Sequence, residues 1–225
     1  MDATSSPQLV QTGPERFEAG LIYRYLQPDG PGPYPTVVLL HGRFGDEDVM
    51  WLFRRVIPRP WLVFAPRAPL AEPGGGFSWH TQPYGQWPDL AAFDPAVAAL
   101  TRFLEALPRL YNADPDRLYL IGFSQGAAVA YATALSRPGI ARAIAGLVGF
   151  VPRAQPETIA GRLNGLPVFM AVGEQDPIVP YAEAQRSAEA LRHAKADLEY
   201  HEYPAEHKMT AAGIDDLQAW LHGQR

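Results

Sequence analysis

The stretch LYLIGFSQGAAVAYATAL, from Leu118 to Leu135, decides the fold of this 225-residue chain. Its first part is a short apolar run typical of a buried strand, and its second part is rich in alanine and predicts a helix. Between them stands GFSQG, in which Gly122 and Gly126 flank Ser124. A serine at the tip of a sharp turn from strand to helix is typical of a nucleophile elbow. The alternative is that Ser124 only caps the helix, a position that serine favours.

Apolar runs bounded by Pro or Gly occur along the rest of the chain. Most are continuous rather than alternating, which is typical of strands covered on both faces in a parallel sheet. Because helical patterns lie between them, we expect a single α/β domain over residues 1–225, with about eight mainly parallel strands and helices on both faces. The strand candidates are LIYRYL from Leu21, TVVLL from Thr36, WLVFA from Trp61, LYLIG from Leu118, AIAGLVGF from Ala143, PVFMAV from Pro167 and LEYHEY from Leu198.

The clearest helical pattern runs from Pro95 to Leu107. Asp94 is placed to cap it, Pro95 suits its first turn, and Pro108 predicts its end. Further helices are expected over residues 126–135 and 181–193, and a last one carries an apolar stripe near the C-terminus.

Composition and charge exclude several classes of function. The net charge of −5, with no long run of like charge, disfavours nucleic acid as a partner. The absence of cysteine excludes disulfides, thiolate metal sites and a cysteine nucleophile. The longest apolar run, Ala143 to Val151, is too short to span a membrane. No phosphate-binding, dinucleotide or HExxH motif is present, so we expect neither a cofactor nor a metal.

The N-terminal segment MDATSSPQLV lacks a basic stretch followed by an apolar one, as a secretory signal requires. We therefore expect a cytoplasmic protein whose partner is a small-molecule substrate.

A serine nucleophile needs a base, normally a histidine that a carboxylate orients, and in the elbow fold the order is Ser, acid, His. Among six histidines, His207 fits best because it lies in a turn between the last strand and the last helix. The others precede the serine, fall in predicted helices or strands, or lie near the C-terminus: His41, His80, His193, His201 and His222.

The acid should follow an earlier strand, and GEQDPIVP after PVFMAV offers two candidates. Asp176 is preferred because Pro177 forces a turn directly after it, and Glu174 is the alternative. Asp176 could also be an ordinary turn residue that bonds its own backbone.

Negative charge on a substrate carbonyl requires two N–H donors, and losing one typically lowers the rate by ~10²–10³. One should be the backbone N–H of Gln125, directly after the nucleophile. The other should lie in the loop after TVVLL, where we expect the backbone N–H of Arg43.

Taken together, these blocks resemble the phospholipase/carboxylesterase family of α/β-hydrolases, which includes acyl-protein thioesterases. The resemblance rests on VVLLHGRFGDE, APRAPL with GGGFSWH, LYLIGFSQGAAVA, and PVFMAVGEQDPIVP through HEYPAEHKM. It implies an α/β-hydrolase fold, a triad of Ser124, Asp176 and His207, and oxyanion donors at Arg43 and Gln125. It also implies that Trp79 borders the acyl-binding groove.

The chain departs from the family pattern at several positions. Phe44 stands where a second glycine is usual, so we expect it to narrow or cover the groove. Ala127 replaces a glycine after the elbow, His80 follows the tryptophan, and Glu206 precedes the histidine where glycine is frequent.

About 16 residues separate the strand ending near Phe150 from the one starting at Pro167, too few for a separate lid domain. Loops must then cover the site. The segment from Pro73 to Trp87 contains four aromatics that could form an apolar wall: Phe77, Trp79, Tyr84 and Trp87. We expect Phe44, Phe77 and Trp79 to contact substrate, although such aromatics could instead pack for structural reasons.

The prediction is a serine hydrolase that cleaves short- to medium-chain carboxylic esters or thioesters through an acyl-enzyme. The same residues could serve a lactone hydrolase or an acyltransferase. A non-catalytic member of the fold that only binds ligands is a third hypothesis, and it predicts a damaged triad.

Overall fold

The computed structural model describes residues 6–81 and 86–224. Within these residues the strands are β1 Gln8–Val10, β2 Tyr23–Leu26, β3 Tyr34–Leu40, β4 Leu62–Pro66, β5 Leu70–Ala71, β6 Phe77–Ser78, β7 Ala113–Phe123, β8 Ala143–Leu147, β9 Pro167–Gly173 and β10 Asp197–Tyr203. The α-helices are α1 Gly13–Ala19, α2 Asp94–Tyr111, α3 Gln125–Ser136, α4 Pro156–Ile159, α5 Tyr181–His193 and α6 Ala211–Gly223. Two 3₁₀ helices cover Val49–Val56 and Leu90–Phe93.

Eight of these strands form one sheet in the order β1-β2-β4-β3-β7-β8-β9-β10. The pairs β1/β2 and β2/β4 are antiparallel, and the remaining pairs are parallel. Strands β5 and β6 form a separate small antiparallel pair. The expected fold, a mainly parallel sheet of about eight strands, is confirmed.

Both faces of the sheet are covered by helices, as the continuous apolar strands predict. In β3, Val38 and Leu40 belong to one buried cluster, which contains residues of α2, α3 and α5. Val37 and Leu39 point to the opposite face, where they pack with residues of α6 and the Val49–Val56 helix. Because β3 contributes to both cores, its side chains are apolar at both alternating positions.

The strand connections bring four loops to one edge of the sheet. The carboxyl ends of neighbouring parallel strands meet there, and the loops after β3, β7, β9 and β10 start from these ends. Every residue expected to form the triad or to donate to the oxyanion lies in or directly after one of these strands.

The helix expected to end before Pro108 runs four residues further. Helix α2 continues to Tyr111 and ends at Asn112 in the left-handed region, with φ 54°. Proline removes one hydrogen bond to the preceding turn. The extension buries Tyr111, whose hydroxyl lies 2.6 Å from that of Tyr23. Asp94 does not cap the helix, since the 3₁₀ turn at Leu90–Phe93 leads directly into it.

The chain also contains elements that the pattern did not predict. Strand β1 has three residues, too few to show a period, and it is defined by its pairing with β2. Strand β8 ends at Leu147 rather than near Phe150, because Val148 turns the chain with a φ of 43°. In residues 6–81 and 86–224, no helix has the length and apolar character needed to cross a membrane.

Candidate active site

Ser124 lies on the turn between β7 and α3, in a backbone conformation that is rare for any residue but glycine. Its φ is 53° and its ψ −116°. Strain of this kind costs ~1–3 kcal/mol and persists only where the surrounding packing enforces it. A Cβ atom on Gly126 would lie 2.0 Å from the Leu40 carbonyl oxygen, and one on Gly122 would lie 2.3 Å from the backbone of Gly126. Both glycines are therefore required by close packing.

The structure brings Ser124, His207 and Asp176 into one hydrogen-bonded chain. His207 Nε2 lies 2.9 Å from Ser124 Oγ, and His207 Nδ1 lies 2.6 Å from Asp176 Oδ2. A carboxylate can only accept, so Nδ1 carries the proton and Nε2 is left to accept from the serine hydroxyl. The imidazole also packs edge-on against Phe123, with 5.3 Å between ring centroids.

Asp176 is held by its own loop as well as by the histidine. Its Oδ1 accepts from the backbone N–H groups of Ile178 and Val179, at 2.7 and 2.9 Å. Asp176 therefore does both: Oδ1 bonds the backbone of its own turn, and Oδ2 accepts from His207. Glu174, the alternative acid, is exposed, and the carboxylate that contacts His207 is that of Asp176.

The two expected oxyanion donors flank the serine. Gln125 is the first residue of α3, where backbone N–H groups have no partner within the helix and carry the positive end of the helix dipole. The loop after β3 packs against the turn, since a Cβ atom on Gly42 would lie 3.3 Å from Ser124 Cβ. In the described residues, the Arg43 N–H forms no hydrogen bond.

The remaining histidines have other surroundings. His41 is fully buried, and its pKa is lowered by that burial. Burial also lowers the pKa of His80 to about 4, with the Arg43 charge as a second cause. His193 bonds the Pro156 carbonyl, and His201 bonds Glu199. Of the six, only His207 reaches the Ser124 hydroxyl within the described residues.

A cavity of about 300 Å³ opens onto Ser124 and is lined mainly by apolar side chains. Phe44 and Ile178 stand at its mouth, 57% and 39% exposed. Trp87 and Phe150 meet edge-to-face, with 5.0 Å between centroids, and form part of its wall. The lining residues are Gly42, Arg43, Phe44, His80, Gln86, Trp87, Pro88, Phe123, Ser124, Gln125, Phe150, Ile178, Val179 and His207.

Of the three expected substrate-contacting aromatics, only Phe44 lines this cavity. Trp79 is 1% exposed and packs behind the site. Phe77 lies under the Arg67 guanidinium, 4.5 Å from its ring centroid. Neither Phe77 nor Trp79 is among the residues that line this cavity, and contact of either side chain with substrate stays a prediction. Of the other proposed wall residues, Trp87 lines the cavity and Tyr84 lies outside the described residues.

Phe44 occupies the left-handed region with a φ of 66°. A residue with a Cβ atom costs ~1–2 kcal/mol in that region, so glycine would adopt this conformation more easily than phenylalanine does. The Arg43 side chain turns aside and pairs with Glu72 at 2.7 and 3.2 Å. That ion pair lowers the pKa of Glu72.

Several lining residues were not anticipated, among them Phe150, Ile178 and Val179. Phe150 lies three residues after the end of β8, and Ile178 and Val179 lie two and three residues after Asp176. Their position after the carboxyl ends of parallel strands was the available signal. In the described part of the chain, no group of three or more His, Asp or Glu side chains is placed to hold a metal.

Comparison with known proteins shows which family the chain resembles in sequence. Residues 27–223 match the family described as Phospholipase/Carboxylesterase. The chain is 29% identical to acyl-protein thioesterase 1 of Mycosarcoma maydis over 224 aligned positions, covering 85% of this chain and 92% of that protein.

Solved structures share the fold. A carboxylesterase from Mesorhizobium loti superposes with a TM-score of 0.83 at 21% identity, covering 97% of this chain and 100% of that one. The Bacillus cereus carboxylesterase gives a TM-score of 0.80 at 22% identity, with 93% and 97% coverage. The α/β-hydrolase architecture is thus confirmed.

Proposed function

The chain belongs to the phospholipase/carboxylesterase family, and from that premise we propose that it hydrolyses carboxylic esters or thioesters through an acyl-enzyme on Ser124. The observation that carries the proposal is the continuous chain from Asp176 through His207 to the Ser124 hydroxyl. In such an arrangement the base accepts the serine proton while the carboxylate fixes the tautomer and orientation of the imidazole.

In the first half-reaction, Ser124 Oγ attacks the substrate carbonyl carbon and its proton passes to His207 Nε2. The carbonyl π electrons move to oxygen, which the N–H groups of Arg43 and Gln125 stabilise. The tetrahedral intermediate then collapses. The bond to the alcohol or thiol breaks, and the leaving group takes the proton from His207 Nε2.

In the second half-reaction, water attacks the acyl carbon and gives its proton to His207 Nε2. The second tetrahedral intermediate expels Ser124 Oγ, which regains that proton, and the carboxylic acid leaves. Asp176 stays ionised throughout and stabilises the imidazolium in both halves.

The cavity supports short to medium acyl groups. At about 300 Å³ it lies at the small end of ligand pockets, and its lining is mainly aromatic and aliphatic. Each methylene buried there contributes ~0.8 kcal/mol, or about fourfold in kcat/KM, until the cavity is full. The Mycosarcoma maydis relative is named an acyl-protein thioesterase, which supports testing thioesters beside oxygen esters.

The test compares Ser124→Ala with Ser78→Ala on p-nitrophenyl butyrate and on a butyryl thioester. Ser78 is a matched control, since it stands in a second Gly-Phe-Ser triplet and is buried away from the cavity. We expect Ser124→Ala to lose about 10⁵-fold in kcat and Ser78→Ala to retain activity. Wild-type protein without turnover, or a Ser124→Ala variant as active as wild type, would refute the proposal.

A panel of p-nitrophenyl esters of increasing length tests the substrate class. We expect kcat/KM to rise with chain length and then level off or fall. A preference for chains beyond about twelve carbons would contradict the size of the cavity. The cytoplasmic location and the extent of the domain stay predictions.

A further inference from the structure

His41 is held in one tautomer by two backbone contacts. The Ala68 N–H donates to His41 Nε2 at 2.9 Å. An N–H group can only donate, so Nε2 is unprotonated and Nδ1 carries the proton. His41 Nδ1 therefore donates to the Gly42 carbonyl oxygen, which lies 2.7 Å away. The imidazole is fully buried, and burial favours this neutral form.

The Gly42 carbonyl belongs to the same peptide unit as the Arg43 N–H. In a trans peptide these two groups point in opposite directions, so fixing one fixes the other. The carbonyl also accepts from the Gly45 N–H at 3.1 Å. With its oxygen held twice, the peptide directs the Arg43 N–H away from His41, while Gly42 packs beside Ser124.

Trp79 connects the preceding peptide, between His41 and Gly42, to the residue that carries the other oxyanion donor. Its indole N–H donates to the His41 carbonyl at 2.9 Å. Its backbone N–H donates to Gln125 Oε1 at 2.7 Å, and Gln125 Nε2 in turn donates to the His80 carbonyl at 3.2 Å. A single buried residue thus joins the β3 loop to the first residue of α3.

We propose that His41 and Trp79 are positioning residues that hold the two backbone donors of the oxyanion hole in register with Ser124. The assignment rests on the proposed function, because it gives these residues a role in the same reaction. It also explains why Trp79 is buried rather than placed in the cavity. Neither side chain lines the cavity, so each acts through the peptide it holds.

The effect should appear in the transition state, where the oxyanion forms, and not in substrate binding. Removing an oxyanion donor outright lowers kcat by ~10²–10³. Because releasing its orientation leaves the N–H in place, we expect a smaller loss of about 10- to 100-fold in kcat, with KM within about twofold of wild type.

The central experiment compares His41→Asn with His41→Gln. The Asn amide nitrogen can take the place of Nδ1 and donate to Gly42, whereas the Gln side chain reaches the place of Nε2 and accepts from Ala68. We expect His41→Asn to retain kcat within about fivefold and His41→Gln to lose 10- to 100-fold. Rescue by Asn and not by Gln identifies the bond to Gly42 as the one that matters.

Inhibition by an alkyl trifluoromethyl ketone supplies a readout that a merely structural role would not move. The ketone forms a tetrahedral adduct whose oxygen occupies the oxyanion site, so its Ki should rise in His41→Gln by the factor that kcat/KM falls. Trp79→Phe keeps an aromatic side chain and the backbone N–H but loses the indole N–H donor. It should raise Ki in the same way. Circular dichroism checks that each variant is folded at the assay temperature.

The outcomes separate the two claims. If wild type turns over esters and both His41→Gln and Trp79→Phe keep kcat and Ki within twofold, the positioning role is refuted while the proposed function stands. Equal losses in His41→Asn and His41→Gln would likewise refute the assignment to the Gly42 bond. If wild type itself lacks turnover, the proposed function fails first.

Discussion

Two segments of this chain share the triplet Gly-Phe-Ser, and the structure gives them opposite environments. In GFSQG, Ser124 stands at a strained turn and its hydroxyl meets an imidazole. In GFSWH, Ser78 lies in strand β6, paired with Leu70 and fully buried. The serine alone therefore does not identify a nucleophile. What matters is the buried parallel strand before it, the helix after it and the second glycine that lets the two pack closely.

Among changes to the surroundings of the two serines, the largest effect is expected from removing what Ser124 has and Ser78 lacks, a histidine oriented by a carboxylate. Asp176→Asn can donate to Nδ1 and thereby favours the wrong tautomer, so kcat should fall by ~10⁴. Glu174→Gln, two residues away and exposed, is the control and should change kcat less than twofold. Steady-state kinetics on p-nitrophenyl butyrate measure kcat for both variants. Similar values of kcat would contradict the assignment of Asp176, rather than Glu174, as the carboxylate that orients His207.

The second glycine of GFSQG provides the next test. Gly126→Ala would place a methyl group 2.0 Å from the Leu40 carbonyl oxygen, and overpacking of this kind costs ~1–3 kcal/mol or more. We expect its Tm to fall by about 5–10 °C. Gly223→Ala, in helix α6 with no atom within 4 Å of the added carbon, should leave the Tm unchanged or raise it slightly. Equal melting of Gly126→Ala and wild type would show that close packing does not explain this glycine.

The same contrast separates the site residues that could be predicted from the sequence from those that could not. Ser124, Asp176 and His207 could be placed because each lies after a strand that the sequence predicts, and the strand order brings the ends of those strands together. Trp79 and Phe77 could not, because the direction of a loop side chain depends on contacts with distant residues. The indole of Trp79 satisfies a backbone carbonyl of β3's loop, which no local pattern reveals. Strand β1 is likewise defined by pairing and not by its own three residues.

Phe44 and Ser124 are both non-glycine residues with positive φ, at 66° and 53°. Replacing Ser124 removes the nucleophile, whereas replacing Phe44 leaves the proposed catalytic groups in place. Phe44→Gly relieves the strain and removes a side chain from the mouth of the cavity. We expect kcat/KM for a branched acyl ester, relative to the butyrate, to rise about threefold. Phe17→Ala, which removes an exposed ring of helix α1, is the control. An unchanged ratio in Phe44→Gly would mean that this ring does not limit access.

The smallest effect concerns His80, two residues after Ser78. Burial lowers its pKa to about 4, whereas the unfolded chain titrates near 6.5. The unfolded state therefore binds more protons between these values, and stability falls as the pH drops through that window. Because glutamine does not titrate, the loss of Tm between pH 7 and pH 5 should be about 1–3 °C smaller in His80→Gln. Thermal melts followed by circular dichroism at both pH values decide this, and equal losses of Tm in the two proteins would contradict a half-buried imidazole that stays neutral.

The most direct measurement uses the two serines within one molecule. Wild-type protein is labelled with an alkyl fluorophosphonate, which phosphonylates an activated serine and releases fluoride, and the adduct is located by peptide mass mapping. We expect one adduct per chain, on the peptide that contains Ser124, with the Ser78 peptide unmodified. An adduct on Ser78 or on any other residue, with Ser124 unmodified, would contradict it.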